Sequence, residues 1–169
     1  VRDMYAPFET GMLAGSARVF DHELPGGQYA NLFVQCQSMG LQDKWAQVLD
    51  AYRDVNALFG DIIKVTPSSK CVGDLALFLI NKNMKAQDVL TSKIDYPDSV
   101  VGLMEGRLGF PHQGFPKAVA DAILQGKPQL TDRPSAALPP ADFVLTKKTL
   151  GEKWECEITD EDVLAALLY

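Results

Sequence analysis

The stretch DIIKVTPSSKCVGD, Asp61 to Asp74, sets Thr66, Ser68, Ser69 and Lys70 around Pro67, directly after the β-branched run of Ile62, Ile63 and Val65. That order reads as a strand-to-helix junction, with Thr66 as N-cap and Pro67 in the first helical position. A helix start leaves backbone N–H groups without intrahelical partners at the positive end of the helix dipole, which is the chemistry that holds a carboxylate or a phosphate. Ser68, Ser69 and Lys70 would add donors to it. The glycines and spacing of a nucleotide P-loop are missing, so a phosphate site of that kind is not expected. The same residues also serve simply to begin a helix, and local chemistry leaves both readings open.

A second candidate is HELPGGQYANL, His22 to Leu32. Pro25 fixes one backbone angle, and Gly26 and Gly27 can take conformations closed to other residues. A helix starting near Gln28 would aim N–H groups at whatever faces the turn. A double glycine either makes a sharp corner or lets backbone approach a ligand or a neighbouring domain closely. His22 and His112 are the only histidines and belong to no two-ligand motif, so no metal site is expected from this chain alone. There is no serine in a nucleophile elbow and no Cys–His pair legible from spacing. Asp160, Glu161 and Asp162 are accounted for by the positive end of a helix. These residues do not make a complete active site.

The elements around them are helical. Trp45, Val48, Leu49, Tyr52, Val55 and Phe59 recur at three- and four-residue spacing in an amphipathic helix ended by Gly60, and Tyr29, Leu32, Phe33, Cys36 and Met39 form a similar stripe ended by Gly40. A tight turn between them predicts a helical hairpin. Val72 to Ile80 is apolar apart from Gly73 and Asp74, so that helix should be the centre of the core, ending at Asn81 to Asn83. Pro97 to Leu108 and Pro116 to Gln125 read as short helices joined by the rigid loop GFPHQGFP, Gly109 to Pro116. GKPQLTDRPSAALPP, Gly126 to Pro140, reads as an extended strap, and Thr159 with Asp162 as a capping box opening a last helix that ends in AALLY. The expected organisation is 1–125 helical, 126–140 strap and 141–169 a helical extension.

Composition limits the partners. With 16 basic against 22 acidic residues, a net charge of −6 and no basic cluster, nucleic acid is a poor candidate. The longest apolar run, Leu75 to Ile80, is too short to span a bilayer, so a soluble protein with no membrane partner is expected. Cys36, Cys71 and Cys156 suit neither a disulfide framework nor a zinc site and fit a reducing compartment. The opening on Val1, in mid-pattern and without methionine, leads us to expect a piece of a longer polypeptide.

HELPGGQYANL followed by FGDIIKVTPSSKCVGDLALF, Phe59 to Phe78, resembles the carboxyltransferase region of the pyruvate carboxylase family, in the part after its metal-containing (β/α)8 barrel. VRDMYAPFE at the start, GRLGFPHQGF at Gly106 to Phe115, RPSAALPP in the strap and ITDEDVLAALLY at the close extend the resemblance over essentially the whole chain, in one order. Oxaloacetate decarboxylase α subunits and transcarboxylase subunits carry a PGGM-type corner and a glutamine where Lys70 stands, so Gln28 and Lys70 point to the pyruvate carboxylase branch. A related biotin-dependent decarboxylase or transcarboxylase subunit, and a non-catalytic helical interaction module, are the alternatives.

The resemblance implies a mainly α segment that packs on the mouth of the barrel and lines a funnel. It implies a multidomain, biotin-dependent ligase that carboxylates pyruvate to oxaloacetate, with a divalent metal, Zn or Mn, acting as Lewis acid on the enolate. The family's metal ligands, carboxylated lysine, pyruvate-binding arginine and proton-shuttling threonine belong to the preceding barrel. The ATP-binding domain and the biotin attachment sequence are not in this chain either; NMKA at Asn83 to Ala86 is not Met-Lys-Met. This segment alone is thus expected to be inactive, with no catalytic or metal-binding residue and no bound cofactor. Gly26, Gly27, Gln28, Thr66, Ser68, Ser69 and Lys70 are its candidates for facing substrate or biotin. The implied partners are the barrel and the biotin carrier domain of the same chain, pyruvate, and further copies in a homotetramer, in the cytoplasm or mitochondrial matrix.

Overall fold

One helix, Ser68–Asn81, organises the larger part of the chain. In this computed structural model, which describes residues 1–6, 9, 11, 15, 17–24 and 26–168, the α-helices are α1 Arg2–Tyr5, α2 Val19–His22, α3 Gly26–Ser38, α4 Trp45–Leu58, α5 Ser68–Asn81, α6 Asp98–Glu105, α7 Lys117–Leu124, α8 Phe143–Trp154 and α9 Asp160–Leu168. Short 3-10 turns lie at Gln42–Lys44, Ala86–Leu90 and Pro134–Ala137. There is no strand among the described residues, and none of their helices is long and apolar enough to cross a membrane. The mainly α reading is correct. Pro25 and Tyr169, and Pro7 and Phe8 of the opening block, lie outside the described residues.

The chain divides into two units, Val1–Pro134 and Ser135–Tyr169. In the first, α5 buries Cys71, Val72, Leu75, Ala76, Leu77 and Leu79, and the valine and leucine side chains among them contribute roughly 1.5–3 kcal/mol each when fully buried. The broadest contact of α5 is with α4, whose Val48, Leu49, Tyr52 and Val55 are buried at the spacing the sequence shows. α6 covers another side of α5, and α3 crosses it at Gly73, where an added Cβ would stand 2.9 Å from Leu32 Cδ1. A side chain at 73 would push the two helices apart. α6 and α7 each follow a proline, with φ of −55° at Pro97 and −54° at Pro116, and end on left-handed residues, Gly106 and Gln125.

The second unit is a helix pair. Asp142 caps α8 by accepting the Leu145 N–H at 2.9 Å. Thr159 and Asp162 form the expected capping box: the Thr159 N–H donates to Asp162 Oδ2 at 2.9 Å, and the Asp162 N–H donates to Thr159 Oγ1 at 3.2 Å. The backbone bond from Thr159, then its hydroxyl, hold the Asp162 carboxyl below the usual range. Lys147 Nζ on α8 pairs with Asp160 Oδ1 on α9 at 2.7 Å, and Ile158 and Val163 are buried.

Several local expectations are corrected. Ile62 to Val65 is irregular rather than a strand, because it has no neighbouring strand to pair with. Thr66 does not cap α5: the helix begins at Ser68 after a cis Thr66–Pro67 bond, with no side-chain cap. Instead Ser68 Oγ accepts the Val65 N–H at 3.2 Å and reaches the carbonyls of Ile63 and Val65, each at 2.7 Å. The main helical partner of α4 is α5, not α3. Met39 at the end of the α3 stripe is exposed. The strap contains a 3-10 turn and is tied to α6, with the Leu130 N–H donating to Glu105 O and Gln129 Nε2 to Met104 O, both at 2.8 Å. α8 falls within the stretch expected to be a helical extension, 141–169, but its own bounds are not legible there, its mixed composition giving a weak apolar stripe.

His22 is buried at the end of α2 rather than looped out, and its ring lies 5.3 Å from that of Tyr29 in α3. Its Nδ1 accepts the Leu24 N–H at 3.0 Å, which requires the unprotonated nitrogen. Burial first, and then the charge of Arg18, push the imidazole below its ordinary range, with Asp21 opposing. Unfolded His22 takes up a proton near pH 6.5, whereas the folded residue resists until lower pH. The stability it contributes is therefore complete above that value and lost as pH falls through the folded pKa. Replacing His22 with Asn, which keeps an acceptor for Leu24, should flatten the dependence of unfolding free energy on pH between about 7 and 5; parallel urea-unfolding profiles for the two proteins would refute this.

Gly106 and Gly109 allow a paired test. Both have positive φ, +88° and +82°, but a Cβ at 106 would lie 2.3 Å from the Phe110 ring while one at 109 meets open space. Gly109→Ala should cost about 1–2 kcal/mol from backbone conformation alone. Gly106→Ala should cost about 1–3 kcal/mol more from the overpacked ring. Equal losses in urea unfolding would show that Phe110 does not need the bare backbone.

Candidate functional site

The first turn of α5 opens onto a cavity of about 650 Å³ that Pro67 and Ser68 share with Ile63, Val65, Leu108 and Phe110. The far wall is the loop from Leu108 to Phe115, including His112. This loop holds its shape through a Pro111 O to Gly114 N–H turn of 2.8 Å, the packing of Phe110 against Gly106, and an edge contact between Phe110 and Phe115 with centroids 6.2 Å apart. Ile63 is 79% exposed, Val65 60%, Leu108 48% and Phe110 45%, so the cavity has an apolar rim. Contiguous exposed apolar surface of this kind marks a place where something else packs or binds.

The donors at this start differ from the simple picture of a free helix terminus. The N–H of Ser69 donates to Val65 O at 2.9 Å, and those of Lys70 and Cys71 to Pro67 O at 3.1 and 3.4 Å. The Ser69 side chain is buried and its Oγ has no partner among the described residues. Lys70 is exposed and its ammonium pairs with Asp74 Oδ2 one turn on. Thr66 and Lys70 do not line the cavity, whereas Pro67 and Ser68 do. The charged donor here is thus a side chain, and the early N–H groups are largely taken up by the turn before the helix.

The α3 start is built differently. Gly26 and Gly27 are exposed, a Cβ on either would meet nothing within 4 Å, and neither has positive φ. The corner thus does not use the conformations that glycine makes possible, and the chain's own packing leaves both positions open. Neither N–H meets a backbone acceptor among the described residues. Gln28 is half-buried, and next to it Tyr29 is fixed by its ring contact with Trp45 at 5.1 Å and by a Trp45 Nε1–H donation to its hydroxyl at 3.0 Å. Lys64, in the loop before α5, pairs with Glu23, just before α3, at 2.6 Å. That bond ties the approach to one helix start to the approach to the other.

The 108–115 loop is the part that reading of the residues missed as a site wall, although the rigid spacing of Gly and Pro in it was visible. No three His, Cys, Asp or Glu side chains among the described residues form a group able to hold a metal ion, so the residues here do not fit the implied divalent metal and none of the chemistry below is routed through it. Biotin is a different case: exposed N–H groups at α3, the Gln28 amide and the Lys70 ammonium are donors suited to a ureido oxygen or a carboxylate. Burial pushes the Cys36 and Cys71 thiols up, keeping them from acting as nucleophiles.

A family model described as a conserved carboxylase domain matches residues 19–169. Pyruvate carboxylase of Bacillus subtilis (strain 168) is 45% identical over 171 residues, which covers 100% of this chain and 15% of that protein. Mitochondrial pyruvate carboxylase of Homo sapiens is 41% identical over 172 residues, covering 99% and 15%. Among solved structures, the carboxyl transferase domain of Rhizobium etli pyruvate carboxylase superposes with a TM-score of 0.90 at 40% identity, over 99% of this chain and 29% of that one. The chain therefore spans about 15% of the length of these curated relatives. With the same helical fold and the same sequence blocks carried from one end to the other, the chain belongs to the conserved carboxylase domain family, as the part it shares with the carboxyl transferase domain of pyruvate carboxylases.

Proposed function

We propose that this chain is the post-barrel wall of a biotin-dependent carboxyltransferase, which passes CO2 from carboxybiotin to pyruvate to give oxaloacetate, and that its own contribution is enclosure and orientation. The observation that carries this reading is the cavity at the α5 start, where Pro67 and Ser68 share one apolar-rimmed opening with the 108–115 loop. In support, a solved structure of the Rhizobium etli domain holds pyruvate and biocytin, and the match to it covers 99% of this chain and 28% of that one. Within the proposal, residues 1–125 are the helical post-barrel part, 126–140 the strap and 141–169 a helical extension. The preceding barrel and the biotin carrier domain are the partners, in a homotetrameric parent of the cytoplasm or mitochondrial matrix.

The physical logic is exclusion of water. Biotin, when bound, delivers the carboxyl group; a nascent CO2 and a nucleophilic carbon must then meet before either escapes. Walls that hold them together raise the rate without donating a reacting group. Ile63, Val65, Leu108 and Phe110 supply the dry surface, packing on the barrel mouth. Gln28 and Lys70 supply donors that orient the ureido oxygen or the carboxylate. Gly26 and Gly27, unobstructed within this chain, let another part of the assembly come close to backbone N–H groups. The metal centre belongs to the barrel, and this segment by itself is inactive.

Two outcomes are expected in the complete enzyme. Lys70→Ala and Gln28→Ala should each slow pyruvate-dependent decarboxylation of carboxybiotin by about tenfold or more while melting within a degree or so of the parent. Unchanged kinetics with unchanged melting would remove both from the functional list. Ile63→Asp with Val65→Asp should change the stability of the isolated chain by only about 0.5 kcal/mol, since both side chains are exposed there, yet lower the melting temperature of the complete enzyme clearly. The same small effect in both settings would mean that this rim faces solvent throughout.

A further inference from the structure

Lys70 sits in an environment that Lys117, which also makes an i,i+4 ion pair in the larger unit, does not share. Lys117 pairs with Asp121 on one helix as well, but there both side chains are open to solvent, 87% and 63% exposed. Such exposed i,i+4 pairs hold little energy and little geometry. Asp74, the partner of Lys70, is only 18% exposed. Its Oδ2 atom also accepts the hydroxyl of Ser99 at 2.5 Å, and Ser99 belongs to the first turn of a different helix, α6. The carbonyl of Ser99 in turn accepts the Cys71 thiol of α5 at 3.3 Å. The carboxylate facing Lys70 is thus fixed from outside its own helix, by two links between α5 and α6.

We infer that Asp74 and Ser99 are positioning residues for the Lys70 ammonium group, an inference that rests on the reading of Lys70 as a donor to the biotin arm. A lysine side chain has four rotatable bonds and a correspondingly large conformational freedom. Anchoring one of its three N–H donors on a carboxylate that cannot itself wander confines the other two to a small region. The carboxylate also offsets the lysine charge. The group then acts as an oriented hydrogen-bond donor more than as a bare cation, and that suits a neutral, polarised carbonyl oxygen such as that of a urea. Ser99 acts at one remove: without its hydroxyl the Asp74 carboxylate keeps its charge but loses the bond that sets its rotamer.

The experiment uses the complete enzyme with free carboxybiotin as the probe substrate, whose carboxyl group passes to pyruvate to give oxaloacetate and leave biotin, and compares Lys70→Ala, Asp74→Asn, Ser99→Ala and the doubles of Lys70→Ala with each of the last two. Asp74→Asn and Ser99→Ala should each lower kcat/KM for the carboxybiotin probe by about tenfold, as expected for a donor displaced by a fraction of its proper geometry. KM for pyruvate should not move. In the Lys70→Ala background neither change should add a further loss, because there is no ammonium left to position. If Lys70→Ala itself has no effect, the assignment of Lys70 to the biotin arm fails and this inference falls with it. If Lys70→Ala is impaired while Asp74→Asn and Ser99→Ala are not, or if their losses add to that of Lys70→Ala, the reading of Lys70 stands and the positioning role is wrong. Should Asp74→Asn fail to fold, Ser99→Ala, which leaves the carboxylate in place, decides the matter by the same two criteria.

Discussion

The near-complete burial of α5 is the constraint on which the larger unit depends. A helix with Cys71, Val72, Leu75, Ala76, Leu77 and Leu79 all removed from water has no face left for solvent over most of its length, so neighbours must cover it from several directions. α4, α6 and α3 do so. Gly73 allows one of these neighbours to come nearer than any side chain would permit. In the first turn of α5 Ser69 and Cys71 are buried with the body of the helix, while the polar residues Ser68 and Lys70 reach outward. Burial of the body thus determines where the polar start of the helix emerges.

The same constraint shapes the loops. The chain leaves α4 through Gly60 and Asp61, both with positive φ, and must return to begin α5 within a few residues. Ile63 and Val65 are left outward on that return, because the space beneath is already filled. The Leu108 to Phe115 loop faces them across the cavity, its own shape set by Phe110 lying on the bare backbone of Gly106. An apolar rim of this kind, with Ile63, Val65, Leu108 and Phe110 exposed, suits the proposal of a wall that another domain closes.

Polar links then couple the two helix starts. Glu23 and Lys64 join the segment before α3 to the segment before α5, and Asp74 with Ser99 joins α5 to α6. The hydrogen bond from Leu24 to the unprotonated His22 nitrogen holds the corner from behind. Tyr52, whose hydroxyl is buried without a partner among the described residues, is pushed up to about 12 by burial, with Glu23 adding to it. It remains a neutral part of the core behind that corner.

By itself the sequence determined the helical class, the identity of the core helix, the proline starts of α6 and α7 and the Thr159–Asp162 capping box. Each of these is written in local periodicity or in side chains within three or four residues of their targets. The order of its blocks also determined the family. Tertiary structure alone decided that Thr66 is not the cap, that α4 lies on α5 instead of pairing mainly with α3, that His22 is buried, and that the 108–115 loop faces the α5 start. Those features depend on contacts between residues tens of positions apart, and on which of several apolar stripes wins the same buried space. Lys70 could be read from the chain as a donor, but the carboxylate and hydroxyl that aim it come together only when α5 and α6 pack.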